Sequence, residues 1–428
     1  MKTPYFSGMI YSMKLRYRLS IVWVGVVIFC IITPFLIFYA RGFKLDMKTL
    51  RIEKTGSLVI KTIPTKTNIS LSGDLQYESP AIIRFLKPSE YTVRITKDDY
   101  QPWEKKLRVS PEMVTWGNSE KTPITLFYTQ PILKNATKAD YIWTNDLDNN
   151  IAYFKDGHIY VLDADNQTLN DLGAFNKKSI DTELLEKWYW SNLYKTFTVF
   201  PRLLPILKEI KLSIKKIVSN GDYISYLAEK NLYVSTDGKK FSKIDTDVED
   251  ISLDAQSLWY IKDKQIIRYD FDTEKPNIMQ DNLPQATKLQ IIRAGSSVFY
   301  IADQKLYTFA NLSEPLYYPV KYFKWDDREQ ALAIGSDNEI LLLRSRNERL
   351  ATILRSTAQI QNPIYNQTTS NIFFSSENKI KTVELDERDR KNIFSLVDIY
   401  PSDRFTISSD GKILYVYSKS EIKIYQIR

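Results

Sequence analysis

An uncharged apolar segment near the N-terminus constrains this chain most strongly. Residues 20–40 read SIVWVGVVIFCIITPFLIFYA and contain no Asp, Glu, Lys or Arg. A helix of about twenty apolar residues spans the roughly 30 Å hydrocarbon layer of a bilayer, and a proline such as Pro34 is tolerated in it. The sequence therefore predicts one transmembrane helix over residues 20–40, which contacts the lipid bilayer.

The charges on either side of this segment predict its orientation. Residues 1–19 carry Lys and Arg but no Asp or Glu, whereas acidic residues dilute the basic residues that follow the segment. Because basic residues favour the cytoplasmic side, we expect residues 1–19 in the cytoplasm and the rest of this single-pass protein outside the cytoplasmic membrane. The expected membrane-interface anchors are basic or amphipathic aromatic residues near the two ends: Arg16, Arg18, Trp23, Tyr39 and Arg41.

A cleaved signal peptide is the alternative interpretation of this segment. Signal peptides have an apolar region of about 7–15 residues that precedes a cleavage site with small residues. This apolar run is longer and ends in Phe38-Tyr39-Ala40-Arg41, so we favour a permanent anchor. The single cysteine, Cys30, lies within the segment, so the remaining chain must be stabilised by its own core without an intramolecular disulfide.

Short strands are predicted over residues 57–128, after a linker over residues 41–56. Apolar residues alternate with polar ones in Ile69-Ser70-Leu71 and in residues 91–95, so each strand has one buried and one exposed face. Turn residues such as Ser79-Pro80 separate the strands. This pattern predicts a small β-sandwich.

The order of these segments resembles the PEGA domain, a small β-sandwich common in bacterial surface proteins. The resemblance rests on residues 56–60 before Pro64, on residues 69–73, on Ser79-Pro80, on residues 91–93 and on residues 99–103. Thr65-Lys66-Thr67 replaces the Gly-Ala step that names the family, and Asp99 replaces the glycine before Tyr100. The resemblance implies a spacer or surface-interaction module without chemistry of its own.

A unit of two apolar strands joined by a polar turn recurs over residues 131–428. Its copies lie roughly 33–42 residues apart, close to the length of a propeller blade. They cover residues 151–163, 223–234, 258–269, 298–307, 331–342, 371–383 and 412–425. A wider gap after the first copy leaves room for a further unit at residues 188–200. The repeat therefore predicts a β-propeller of seven or eight blades, with an irregular pair of β-sandwiches as the alternative.

One turn adds a second resemblance. Ser408-Ser409-Asp410-Gly411-Lys412 and the strand after it resemble the Ser-Pro-Asp-Gly-Lys turns of TolB-like and WD40-like propellers. The whole sequence is thus expected to be mainly β, with one transmembrane helix, a PEGA-like sandwich and a propeller.

Residues that could carry catalysis are few. His158 is the only histidine and follows an Asp-Gly turn, and Cys30 lies in the apolar segment, so no His/Cys metal cluster or dyad can form outside the membrane. The sequence has no glycine-rich phosphate loop and no nucleophile elbow. The acidic turn at residues 146–150 does not match an EF-hand. We therefore expect no catalytic residues, no metal and no cofactor, and a propeller glycosidase with paired carboxylates is the alternative.

One aromatic cluster is a possible ligand-contact patch, formed by Trp188, Tyr189 and Trp190. Consecutive aromatic residues point to both faces of a strand, which favours a buried blade strand over an exposed patch. The net charge of +8 comes from basic residues interspersed with acidic ones, so we expect no nucleic-acid partner.

These observations predict an anchored extracytoplasmic binding or scaffold protein. Loops at the blade ends are expected to contact an unknown envelope protein or polysaccharide. A sensory ectodomain is a further alternative, and it would need to signal through a partner because residues 1–19 are too short for an output module.

Overall fold

The computed structural model describes residues 15–40, 43–46, 51–73, 75–119, 122–143, 150–164, 166–176, 181–190, 213–220, 222–238, 240–254, 256–294, 297–308, 314–326, 331–344, 350–418 and 420–428. The chain divides into two compact units. The first comprises Met1–Lys97, Pro102–Ile124 and Arg388–Arg390, and the second comprises Asp98–Gln101, Thr125–Glu387 and Lys391–Arg428.

The N-terminal apolar segment is helical, as predicted. Helix α1 (Leu15–Ala40) contains Pro34, and its stretch Leu19–Phe38 is exposed and is the one stretch in the described part of the chain that is long and apolar enough to cross a membrane. Trp23 is 63% exposed on this helix. Arg16, Arg18 and Tyr39 lie within α1 but their side chains are outside the described atoms, and Arg41 is outside the described residues.

Short strands build the remainder of the first unit. They are β1 (Phe43–Asp46), β2 (Arg51–Lys54), β3 (Gly56–Ile60), β4 (Thr62–Ile63), β5 (Asn68–Leu71), β6 (Leu75–Glu78), β7 (Ala81–Leu86), β8 (Ser89–Thr96), β9 (Trp103–Val109), β10 (Val114–Trp116) and β11 (Ile124–Thr125). The larger described sheets have the orders β6-β5-β8-β9 and β10-β3-β7, while β1 pairs with β2 and β4 pairs with β11.

The alternation predicted for the sandwich strands is confirmed. Along β9, Trp103, Lys105, Leu107 and Val109 are all buried, whereas Lys106 and Arg108 between them are exposed. Lys105 is only 1% exposed despite its charge. Because side chains alternate across a strand, these four residues share the core face.

Seven sheets follow in the described residues of the second unit, and we number them as blades 1 to 7. Blade 1 contains β13 (Tyr141–Trp143), β14 (Asn150–Lys155), β15 (His158–Asp163) and β16 (Thr168–Ala174), and a short helix α2 (Thr182–Glu186) follows it. Blade 2 contains β17 (Trp188–Trp190), β18 (Ile214–Ser219), β19 (Ile224–Ala228), β20 (Asn231–Ser235) and β21 (Ser242–Asp245). Blade 3 contains β22 (Val248–Leu253), β23 (Ser257–Lys262), β24 (Gln265–Asp270) and β25 (Lys275–Gln280).

The remaining blades have the same up-and-down order. Blade 4 contains β26 (Leu289–Ala294), β27 (Ser297–Ala302) and β28 (Lys305–Thr308), and blade 5 contains β29 (Tyr322–Asp326), β30 (Ala331–Gly335), β31 (Glu339–Arg344) and β32 (Leu350–Arg355). Blade 6 contains β33 (Gln361–Asn366), β34 (Asn371–Ser376), β35 (Lys379–Glu384) and β36 (Ile393–Asp398). Blade 7 contains β37 (Arg404–Ile407), β38 (Ile413–Tyr417), β39 (Glu421–Gln426) and, at its outer edge, β12 (Ile132–Lys138).

Pairing and packing close these blades into a ring. Strand β12 pairs antiparallel with β39, so the first and last strands of the unit share blade 7. Shared cores of buried apolar side chains join blades 1 and 2, 2 and 3, 3 and 4, 4 and 5, 5 and 6, and 7 and 1. Asn366 joins blades 6 and 7, because its side-chain Nδ2 donates to the carbonyl oxygens of Ser408 at 3.1 Å and Ser409 at 3.2 Å. The described residues therefore form a propeller of seven blades.

The recurring unit of the sequence is the central hairpin of each blade. All seven predicted hairpins are present, from β14–β15 in blade 1 to β38–β39 in blade 7. Strands buried on both faces, such as β30, carry continuous apolar runs, whereas the outer strands β12 and β25 are largely exposed. The segment considered as an extra blade instead begins with β17, which pairs parallel with β18 inside blade 2. Residues 191–212 are outside the described residues.

The hairpin turns use left-handed backbone. Asp303 and Gln304 have φ of 46° and 67°, and Glu377 and Asn378 have φ of 53° and 57°. Two successive positive φ values match the tight turns that suit the twist of a hairpin. In an antiparallel meander, this turn lies at the same end as the connection to the next sheet. We call the face formed by these turns and connections the upper face of the propeller.

Candidate functional site

A cleft of about 390 Å³ opens on the upper face at blade 6. We call it the blade-6 cleft. It is lined by residues from the start of β33, the end of β34, the β34–β35 turn and the connections on either side of the blade: Gln359, Gln361, Ser375, Ser376, Glu377, Asn378, Ile399 and Pro401. These segments are distant in sequence, and they meet because the meander returns to the same end of the blade after every second strand.

Backbone hydrogen bonds fix the walls of the cleft. The amide of Ile399 donates to the carbonyl oxygen of Asn378 at 2.9 Å, which ties the following connection to the hairpin turn. The amide of Ile360 donates to the carbonyl oxygen of Asp337 at 2.7 Å, which ties the preceding connection to the turn of blade 5. The walls are therefore pre-formed by secondary structure and its turns.

The carboxylates at the cleft are paired with lysines. Lys381 contacts the carboxylate of Glu377 four residues before it, and this hydrogen bond lowers the pKa of Glu377. Next to the cleft, Lys321 contacts Asp337 and lowers the pKa of that carboxyl, whose other oxygen accepts from Gln359 Nε2 at 3.4 Å. The other polar lining groups are neutral amides and hydroxyls.

Two tyrosines stand out on the connections near this cleft. Tyr400, between lining residues Ile399 and Pro401, is 71% exposed, and Tyr318 on the connection before blade 5 is 59% exposed. They are the two exposed aromatic side chains among the described residues of the second unit. The amide of Tyr400 donates to Asp403 Oδ2 at 3.0 Å, which fixes the turn that carries the ring.

Comparison with known protein families identifies one domain of the chain. Residues 55–123 match the family model of the PEGA domain. This stretch is a PEGA domain. No curated protein matches the chain in sequence.

Two solved structures are similar to the chain at low identity. A chain of the mitotic checkpoint complex has 13% identity and a TM-score of 0.37, and the match covers 69% of this chain and 94% of that one. Streptogramin B lyase has 12% identity and a TM-score of 0.39, with 71% of this chain and 98% of that one covered. The propeller that follows the PEGA domain is assigned from its own strand pairing and blade packing.

The PEGA domain contains a buried cluster of hydroxyls where the sequence departs from the family pattern. Thr62 Oγ1 lies 3.0 Å from Thr67 Oγ1 and 2.7 Å from Ser79 Oγ, and it donates to the carbonyl oxygen of Pro64 at 2.7 Å. All three residues are at most 3% exposed. Their hydroxyls satisfy one another, so the cluster stabilises the domain and offers no surface to a ligand.

The predicted aromatic patch is not a surface patch at Trp188. This side chain is 2% exposed and packs in the core shared by blades 1 and 2, because β17 inserts beside β18. Tyr189 and Trp190 lie in the same strand, but their side chains are outside the described atoms. The blade-6 cleft gives no comparable sequence signal, since its amides and hydroxyls come from three short segments. The Tyr-Pro pairs at residues 318–319 and 400–401 are the signal that could have indicated this region.

The histidine and the turn aspartates considered in the sequence make local contacts within the fold. His158 Nδ1 lies 2.9 Å from Asp171 Oδ2 on the neighbouring strand, with both side chains partly exposed. The side chains of Asp254 and Asp270 accept hydrogen bonds from backbone amides within their own turns, as is common for aspartates in turns. The described residues contain no group of three or more His, Cys, Asp and Glu that could hold a metal ion. Residues 144–149, which include most of the acidic turn, are outside the described residues.

Proposed function

We propose that this protein is a membrane-anchored extracytoplasmic binding or scaffold protein that presents the upper face of its propeller to a protein or polysaccharide of the cell envelope. The observation that carries this proposal is the blade-6 cleft. Its volume of about 390 Å³ falls within the roughly 300–1,000 Å³ of small-molecule sites. Its pre-formed walls favour binding, because little order must be gained when a ligand enters.

The proposed location follows from the order of the segments. Basic residues without acidic ones precede α1, which favours a cytoplasmic N-terminus. PEGA domains are extracytoplasmic, and one follows the helix here. The PEGA domain and the propeller would then both lie outside the cytoplasmic membrane.

Binding without catalysis fits the chemistry of the cleft. Glycosidases use two carboxylates that flank the scissile bond. Among the described lining residues, Glu377 is the single carboxylate, and it is paired with Lys381. We therefore propose that the face recognises its partner without converting it.

Site-specific photocrosslinking in cells tests this function. The photoreactive residue p-benzoylphenylalanine is placed at position 400 on the upper face or, as a control, at position 278. Ile278 is a matched control because it is 61% exposed on the outer strand β25 of blade 3. We expect a discrete adduct from position 400 and none from position 278. Identical adducts from both positions, or none from position 400, would refute binding through this face.

A further inference from the structure

We infer that the blade-6 cleft binds a neutral polysaccharide, with its amides and hydroxyls bonded to sugar hydroxyls and Tyr400 packed against a sugar ring. This inference deepens the proposed function and rests on it. It names one ligand class for the upper face. Three observations support it: the hydrogen-bonding groups of the cleft, the paired charges and the exposed tyrosines.

The hydrogen-bonding groups of the cleft match those of a sugar. The side-chain amides of Gln361 and Asn378 make no hydrogen bond to the described residues, and both line the cleft. Each amide offers donors and an acceptor side by side, and the Ser376 hydroxyl can both donate and accept. The Ser375 hydroxyl already donates to the carbonyl oxygen of Gln361 at 3.3 Å, so it can only accept from a ligand. Adjacent sugar hydroxyls also donate and accept, so each can be satisfied by such a lining.

The charges favour a neutral ligand. Glu377 and Asp337 already contact Lys381 and Lys321. An anionic ligand would have to displace a carboxylate from its lysine, and a cationic ligand would have to displace the lysine. The opposite charges of each pair largely cancel, so the pair attracts a charged ligand only weakly. A ligand without charge leaves both pairs intact.

The exposed tyrosines favour a chain of sugars over a single sugar. Tyr400 adjoins the cleft on one side, and its ring can cover the apolar C–H face of a sugar. On the other side, Gln359 contacts Asp337, which contacts Lys321 on the same connection as Tyr318. The polar strip thus continues from blade 6 to the connection before blade 5. A polymer can contact the whole strip, whereas a monosaccharide fills only the cleft.

A peptide partner is the less favoured occupant of this site. Peptides are usually held by a free sheet edge, an apolar groove, an aromatic groove or an arginine cluster. The described lining contains two apolar side chains, Ile399 and Pro401, and no arginine. The chemistry of the cleft therefore fits hydroxyl recognition better than side-chain recognition.

Affinity electrophoresis tests the inference on the full chain. The protein is solubilised in a polyoxyethylene detergent, because a detergent with a sugar headgroup would compete for the site. Its migration is measured in gels that contain dextran, mannan, a soluble β-glucan or the anionic polymer alginate. We expect retardation by at least one neutral polymer, stronger than by alginate and stronger for long chains than for short oligosaccharides.

Four variants at the cleft and one control variant assign the retardation to the cleft. Loss of one hydrogen-bonding amide in Gln361→Ala or Asn378→Gly should weaken binding by roughly threefold to tenfold. The glycine at position 378 keeps the left-handed turn, since Asn378 has φ of 57°. Tyr400→Ala should weaken binding similarly, while Tyr400→Phe retains the ring and the affinity. Ile278→Ala is the matched control and should bind like the wild type.

The outcomes separate this inference from the function on which it rests. The inference is wrong if no neutral polymer retards the protein, if alginate binds best, or if the cleft variants bind like the wild type. If polysaccharides fail while position 400 still crosslinks to a protein, only the ligand class is wrong. If both experiments fail, the binding function of the upper face is wrong as well.

Discussion

Replacing Gly411 by alanine should destabilise the propeller, because the added methyl group would clash with side chains at the contact between blades 6 and 7. Gly411 has φ of 71°, and an added Cβ would lie 2.3 Å from Thr369 Cγ2 and 3.2 Å from Asn366 Oδ1. Asn366 also donates to the carbonyl oxygens of Ser408 and Ser409. The new methyl group therefore meets the side chains that hold the two blades together.

Two costs determine the size of the effect. An alanine in left-handed backbone costs about 1–2 kcal/mol relative to glycine. Overpacking of a tight contact adds about 1–3 kcal/mol. Together they predict that Gly411→Ala lowers the free energy of unfolding by roughly 2–5 kcal/mol.

A control and a rescue separate these costs. Gly157 has φ of 84° and nothing within 4 Å of its added Cβ, so Gly157→Ala should lose only the backbone cost. Thr369→Ser removes the clashing methyl group but keeps the hydroxyl that bonds to Asn366. The double variant Thr369→Ser, Gly411→Ala should therefore recover part of the loss in a double-mutant cycle.

The free energy of unfolding is measured for the wild type, the three single variants and the double variant by urea unfolding of the detergent-solubilised chain, followed by tryptophan fluorescence. The reasoning is refuted if Gly411→Ala is no less stable than Gly157→Ala. It is also refuted if Thr369→Ser gives no recovery.

Further predictions concern three polar side chains of the propeller, Asp303, Tyr300 and Tyr260. The side-chain hydroxyl of Thr287 and nearby backbone amides donate hydrogen bonds to the Asp303 carboxylate and lower its pKa. These bonds therefore stabilise the folded protein fully above the unfolded pKa of about 3.9, and this stabilisation is lost as the pH falls through the folded pKa. Asp303→Asn should therefore be less stable than the wild type at pH 7, with the difference in urea midpoint shrinking below about pH 4; a constant difference would contradict this. The buried hydroxyl of Tyr300 has no hydrogen-bond partner among the described residues, so Tyr300→Phe should raise the free energy of unfolding by about 1 kcal/mol. Tyr260 donates to Asp245 Oδ2 at 3.0 Å, so Tyr260→Phe should instead lower it by about 1–2 kcal/mol, and equal effects in thermal unfolding would contradict the assignment.

Local features of the fold could be predicted from the sequence. Each central hairpin, such as the one that turns at Asp303 and Gln304, consists of two apolar strands and a turn within a short stretch. The N-terminal apolar helix is equally local, because it comes from one uninterrupted apolar run. The PEGA domain could be predicted because its strands and turns occur in a recognisable order.

Features that depend on distant pairing could not be predicted. Strand β17 pairs with β18 across an intervening segment that has no repeat signal, so a separate blade was an equally reasonable interpretation. The pairing of β12 with β39 joins the two ends of the propeller and likewise leaves no local pattern.

The candidate site was missed for the same reason. The sequence drew attention to the dense aromatic cluster at Trp188, yet aromatic residues in a strand fill cores, and Trp188 is buried. The cleft at blade 6 combines common residues such as Gln361 and Asn378, which become a site only when the meander brings them together.

The central claim is that α1 anchors the protein in the cytoplasmic membrane with the propeller outside it. The accessibility of one engineered cysteine to a membrane-impermeant reagent tests this claim. The variant Cys30→Ser, Ile278→Cys carries a single thiol on the exposed outer strand of blade 3, since Cys30 is the only native cysteine. A membrane-impermeant maleimide is applied to intact cells and, separately, to lysed cells. The account predicts equal labelling in both samples, and labelling that appears only after lysis would contradict it.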